Sequence, residues 1–273
     1  MKFKDLINHL DTEFPKTLSN SWDNDGVDVC VDYNLEIGRI LVVLDVTFEA
    51  IDYAVTHGYN CITAHHPITY KPLKKLDLST PASKKAVMLA QHNICAASFH
   101  TRLDSVSGGV NDCLLNASGI AGNAENMEIL FDSGDNNIPV GRVVTLKDET
   151  NLQDFINGIK KSLKKFYKKE FSCEAEFNVN YVSGSKNVKK IGIVGGQGLD
   201  LAHFAAEMGA DTFFTGEGKY HDILDAHEFF DINIITAGHF ETEAVVLPFV
   251  KQKILQKFPE AKVDCFIGEN KNS

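Results

Sequence analysis

A chain of 273 residues, 44% hydrophobic and 23% charged, has the composition of a globular protein with room for two ordinary domains, and it needs no covalent staple to hold a core. Its formal charge of −10 excludes a phosphate backbone as the expected partner, since affinity for nucleic acid comes mainly from clustered Lys and Arg. No stretch approaches the roughly 18 apolar residues that span a bilayer, and six cysteines without a CxxC pair point to reduced thiols.

The opening MKFKDLINHLDTEFPK alternates charged and apolar groups at helical spacing and lacks the apolar run of a signal peptide. With the thiols, it predicts a cytoplasmic protein. From residue 39 the short apolar runs RILVVLDV, NCITA and ICAASF alternate with the amphipathic FEAIDYAVTHG and SKKAVMLAQHN, the pattern of βαβ units in a largely parallel sheet. A similar order returns from residue 189 as KKIGIVGG, LDLAHFAAEMG, ADTFFTG, KYHDILDAHEFF and INIITAG, with Gly58 and Gly209 each ending the first helix.

The expected fold is therefore α/β, two similar βαβαβ halves with mostly parallel sheet, plus a smaller α+β insertion over about 125–188. The insertion carries GRVVTL, a helix over NLQDFINGIKKSLKKFY and the polar alternation AEFNVNYVSG. Its lysine run, KKSLKKFYKK at 160–169, reads as the solvated face of that helix, with Leu163 and Phe166 on the apolar side. The Gly- and Asn-rich ASGIAGNAEN places a boundary near 125. Residues 1–125 and 234–273 form a metal-binding α/β domain in this reading, and 126–233 a second α/β domain that includes the insertion. The polar end, ENKNS, is expected to be disordered.

His65 and His66 follow the strand NCITA, and Pro67 blocks extension of the ladder, so both imidazoles stand at a strand's carboxyl end. Adjacent residues leaving a strand point in different directions, so each can serve one of two metals. In open parallel sheets the ligand crevice lies beyond such ends. Asp104 follows a second strand in HTRLD, and His239 and Glu243 follow a third in HFETE, where residues four apart share a helix face. The helix ETEAVVLPFVKQKILQKF would pack Val246, Leu247, Val250 and Ile254 inward, with Pro248 tolerated in its first turns.

Imidazole and carboxylate donors suit zinc, manganese or iron. The expectation is two divalent metal ions per subunit, held by His65, His66, Asp104, His239 and Glu243. A lone His near a strand end is more often an ordinary hydrogen-bonded side chain, and the recurrence of His followed four residues later by an acid is what favours metal here.

Around this set, Asp45 reads equally as a partner of a metal-bound His and as a helix cap shared with Thr47. His100 is the counterpart of His239, a ligand or more readily an orienter. Glu217, near His221 in TGEGKYHD, is a candidate general base against the alternative of a solvated loop acid. The run GGQG at 195–198 reads as a tight turn more readily than as a phosphate cradle.

The segments SWDNDG (21–26), ITAHHPITY (62–70), FHTRLDSVSGGVND (99–112), GADTFFTGE (209–217) and AGHFETE (237–243) resemble, in order and across nearly the whole chain, the motifs of the Nif-three-like dinuclear metal-centre family. Members of that family are often labelled GTP cyclohydrolase 1 type 2 homologs. The resemblance implies a two-domain α/β subunit in a toroidal homohexamer, with the metal pairs facing an internal cavity and the same five residues as ligands. It also implies a metal-dependent hydrolase that attacks C8 of GTP and opens the ring. The alternative is a non-catalytic hexameric scaffold that stores or delivers metal. The expected partner is a nucleotide or other small molecule, with no nucleic acid and no membrane. Two segments depart from the pattern: DGVDVC replaces a more apolar continuation after WDN, and GEGKYHD is one of several forms of its loop.

Overall fold

Two units make up the chain, Met1–Val106 taken up again from Leu247, and Ser107–Val246. The computed structural model describes residues 1–132, 138–174, 176–184 and 187–268, and the tail ENKNS lies outside them. The first unit begins with α1 (Phe3–Glu13) and β1 (Gly26–Val29), then alternates β2 (Arg39–Val43), α2 (Phe48–His57), β3 (Cys61–Ala64), α3 (Pro81–Gln91) and β4 (Cys95–Ser98) before the short α4 (Thr101–Ser105). The second unit holds α5 (Val110–Ala117), β5 (Ala124–Asp132), β6 (Ile138–Thr150), α6 (Leu152–Phe171), β7 (Asn180–Val182) and β8 (Val188–Gln197). It continues through α7 (Ala202–Glu207), β9 (Thr212–Glu217), α8 (Tyr220–Phe230), β10 (Asn233–Thr236) and α9 (His239–Glu243). Helix α10 (Leu247–Lys257) and β11 (Lys262–Phe266) return to the first unit.

In the first unit the sheet order is β1-β4-β3-β2-β11, parallel throughout except for β1. Its strands read as unbroken apolar runs because helices cover both faces, and Leu41, Val43, Ile51, Ile62, Leu89 and Ala96 share one core cluster. Helix α2 starts where the Thr47 side chain accepts from Ala50 N–H and stops at Gly58, left-handed at φ 70°. Register aligns Val43 with Ala64 and Ala64 with Ser98, so three strands end level and their following loops leave from one edge.

The second sheet runs β5-β6-β8-β9-β10-β7. Strands β8, β9 and β10 are parallel and are the second βαβαβ half, whereas the β5/β6, β6/β8 and β10/β7 pairs are antiparallel. This sheet is therefore mixed where a mostly parallel one was expected. The strands of the insertion are not a body of their own but hydrogen-bond onto both sides of the parallel core.

Helix α6 buries Ile156, Ile159, Leu163 and Tyr167 at helical spacing and turns its lysines outward. The inward aromatic is Tyr167, with Phe166 half-buried beside it. The boundaries expected near 125 and 233 fall instead after Val106 and Val246, because α5 packs on α9 and β8. His239 and Glu243 consequently belong to the second unit.

The single helix expected after residue 240 is broken: a 3-10 turn over Ala244–Val246 separates α9 from α10. Pro248 lacks the N–H that would continue the ladder, which accounts for the break there. Val246, Leu247, Val250 and Ile254 are all buried as expected. All six cysteines are free thiols, with Cys61 and Cys95 buried. Among the described residues no helix is long and apolar enough to cross a membrane.

Candidate metal centre

His65 and His66 lie just beyond β3, where their backbone N–H groups carry the ladder on to Val43 and Leu44 carbonyls at 3.1 and 2.9 Å. Pro67 ends it. Each imidazole is then held by its Nδ1. His65 Nδ1 lies 3.2 Å from the Phe99 carbonyl, His66 Nδ1 2.9 Å from Asp45 Oδ1, and His100 Nδ1 3.0 Å from both oxygens of Asp23. An acceptor opposite Nδ1 places the proton there and directs the lone pair of the neutral ring through Nε2. Ring centroids of His65 and His66 are 4.7 Å apart, and each lies 5.3 or 5.4 Å from that of His100. The candidate ligand atoms of the three all fall within 4.8 Å of one another, close enough to hold a metal ion. Asp104, on α4, brings Oδ1 to 3.6 Å from His65 Nε2.

Asp45 is thus engaged with His66, while the cap of α2 is Thr47. Asp23, from the WDN segment, also accepts from Thr101 N–H at 3.0 Å and from the Thr101 hydroxyl at 2.6 Å. Burial works against its charge, but the bond to His100, that ring's charge and the two Thr101 bonds outweigh it and hold the carboxyl at about 2. For His100 burial disfavours the cation, and the Asp23 hydrogen bond with the charges of Asp104 and Asp23 raises its pKa in spite of that. Trp22 and Tyr70 flank His100 at 5.8 and 5.5 Å between ring centroids. They are 59% and 49% exposed, so aromatic surface borders the cluster.

In the second unit, His239 Nδ1 lies 2.9 Å from Glu217 Oε1 and its Nε2 lies 3.0 Å from Glu243 Oε2. A neutral imidazole has one N–H for two carboxylates, so this arrangement is satisfied by a second proton or by a cation at Nε2. Glu217 therefore stands where a carboxylate orients an imidazole. His221 does not join it: its side chain is 70% exposed and pairs with Asp222.

The GGQG run acquires a role here. Gly196 is left-handed at φ 63°, and a Cβ on it would overlap Glu243 Oε1 and crowd His239 Nε2. Its N–H donates to Thr242 Oγ1 at 3.0 Å, and that hydroxyl donates in turn to the Gly238 carbonyl at 2.8 Å. Glycine at 196 is thus what lets the Glu243 carboxylate lie against β8. Sequence reading had no signal for this, since the two residues are far apart in the chain.

Arg102 was also missed. It is 1% exposed, donates from Nε to Asp25 at 2.7 Å, and from Nη1 to Asp11 at 2.7 Å and the Phe14 carbonyl at 2.9 Å. These bonds fix α4 between the two residues that matter on either side, His100 and Asp104.

The donor set fits divalent metal: imidazole nitrogens with oriented lone pairs, and carboxylates at 3.0 to 3.6 Å from them. Comparison with known proteins points the same way. A family model described as Duf34/NIF3 (NGG1p interacting factor 3) matches residues 1–273. A protein of Clostridium perfringens named GTP cyclohydrolase 1 type 2 homolog is 34% identical over 260 residues, 94% of this chain and 92% of that one. One of the same name from Clostridium acetobutylicum is 32% identical, covering 89% and 85%. Among solved structures, a hypothetical protein of Staphylococcus aureus superposes with a TM-score of 0.83 at 25% identity, covering 100% of this chain and 98% of the other. Reduced HcgD from Methanocaldococcus jannaschii does so with 0.77 at 26%, covering 97% of both.

Proposed function

The chain belongs to the Duf34/NIF3 family, and from that premise we propose that it binds two divalent metal ions per subunit, as zinc, iron or manganese. The ligands in this reading are His65, His66 and Asp104 of the first unit and His239 and Glu243 of the second. One observation supports it above the rest: each of the three ligand imidazoles has Nδ1 against an oxygen acceptor, Phe99, Asp45 or Glu217, which directs Nε2 to a cation. Side chains that were merely filling space at strand ends would have no reason to share a tautomer.

The activity proposed is metal-dependent hydrolysis of GTP cyclohydrolase type. A divalent ion at such donors supplies Lewis acidity and makes water acidic enough to act near neutral pH. The chain's own residues supply orientation: Asp45 and Glu217 hold the rings, and Trp22 with Tyr70 offers flat aromatic surface on which a purine can stack. The names of the clostridial relatives support GTP as the first nucleotide to test. Gently purified protein should consume GTP, lose that activity to a chelator, and regain it on return of metal. Metal-loaded protein that leaves GTP intact would overturn the substrate assignment.

One feature favours a second reading, a scaffold that stores or delivers metal without turnover. Glu217, the acid best suited by sequence to act as base, is engaged with His239 Nδ1. That reading predicts two ions per chain, their transfer to an acceptor, and no nucleotide consumption. In either case we propose a toroidal homohexamer as the assembled form and, with six free cysteines, the cytoplasm as its place.

A further inference from the structure

We propose that His65, His66 and His100 form a three-imidazole cation site complete within the first unit, with Asp23 as the positioning residue for His100. This rests on the metal reading above and adds to it a ligand outside the five residues, held by a residue 77 positions away in sequence.

All three rings are buried or nearly so: His65 is 1% and His66 8% exposed, and the His100 side chain 11%. Each Nδ1 is bonded to a different acceptor: a backbone carbonyl, Asp45 and Asp23. Three independent anchors therefore impose one tautomer on three adjacent rings. The lone pairs so directed come from ligand atoms within 4.8 Å of one another. Lone pairs gathered in one small, poorly hydrated volume repel, and a shared cation turns that repulsion into attraction. Three imidazoles with a fourth position left to solvent are a recurrent arrangement for a divalent ion at a catalytic site.

The Asp23 anchor is the most elaborate of the three. Its carboxylate takes the His100 Nδ1 proton and two bonds from Thr101, so neither side chain can rotate without breaking all of them. A histidine wanted only for packing next to Trp22 would not require such a partner. The carboxylate also raises the basicity of the ring it holds, which strengthens Nε2 as a donor. His100 has the same relation to Asp104 as His239 has to Glu243, each pair four residues apart. In the second unit that imidazole is anchored through Nδ1 on Glu217 and faces its acid through Nε2.

Cobalt(II) is the probe, because its visible absorption reports the number and type of ligands independently of any activity. The test uses full-length protein carrying His239→Gln with Glu243→Gln, which removes the ligands of the second unit. This variant should keep one cobalt per chain, and adding His100→Gln should weaken that binding by about 100-fold or more and change the spectrum. Asp23→Asn, close to isosteric, should weaken it roughly 10-fold, in the range found when an outer partner of a ligating His is removed. If His100→Gln fails to fold, as judged by circular dichroism, Asp23→Asn decides alone.

Unchanged affinity and spectrum in the His100→Gln or Asp23→Asn protein would overturn the assignment. So would loss of all cobalt from the double variant while wild type binds it, an outcome that leaves the five-ligand reading intact. Wild type that takes up no cobalt would sink the metal reading itself, and the two failures are thereby distinguishable.

Discussion

Asp28 and Arg102 show what single residues do to stability around the cluster. Burial pushes the Asp28 carboxyl up to about 7, against the help of the Ile68 N–H and with the negative charges of Asp25 and Asp23 adding to it. Unfolded, the same group ionises near 3.8, so between these values the folded state alone binds the proton and stability falls as pH rises. Below about 4 both states are protonated and the effect vanishes. Asp28→Asn should therefore melt like wild type at pH 4 and be more stable at pH 8, by on the order of 4 kcal/mol. A gap that is constant with pH in urea titrations would contradict this. Arg102 bridges Asp25 and Asp11 from a position 1% exposed, so Arg102→Met strands the buried Asp25 carboxylate and should cost about 3–5 kcal/mol. Arg102→Lys should not restore it, because the two carboxylates and the Phe14 carbonyl need the spread of a guanidinium. Asp104 could be picked out from its place after a strand, but Arg102, two residues before it, could not. Its partners lie 77 and 91 residues away, and nothing local marks an arginine as buried. The same distance hid the role of Asp23 at His100.

At the scale of elements, the parallel cores β2-β3-β4 and β8-β9-β10 were legible because apolar runs of four to six residues alternate with amphipathic helices. The edges were not. Strands β5, β6 and β7 have the same local texture whether they form a separate layer or extend a sheet, and only long-range pairing decides. The break before Pro248 was visible as a proline but not as a break, since a proline at the second helical position also fits an unbroken start. The turn after β8 carries a prediction of its own. Gly196→Ala forces a side chain into a left-handed backbone and against Glu243, so it should destabilise the second unit by about 1 kcal/mol or more. It should also weaken metal binding beyond what that stability loss explains, because Glu243 must move from its seat. Isothermal titration with zinc, alongside thermal melting of the chelated protein, separates the two effects. Unaltered zinc affinity would show that Glu243 does not need that seat.

For the whole molecule, the proposed homohexamer predicts that light scattering on the eluting peak gives six times the mass of the chain, unchanged by a chelator if assembly is independent of metal. A monomer at micromolar concentration would refute it. The chain's charge of −10 predicts negligible retention of duplex DNA at physiological salt in a filter-binding assay. Above these stands the question of metal, which three separated stretches of sequence raised and which the oriented imidazoles of both units support. Its most direct test is elemental analysis of gently purified wild type beside a variant in which His65, His66, Asp104, His239 and Glu243 are replaced by Gln or Asn. Two divalent ions per wild-type chain and none in the folded variant is the predicted result. A wild-type protein without divalent metal, or a folded variant that retains the full complement, would contradict it.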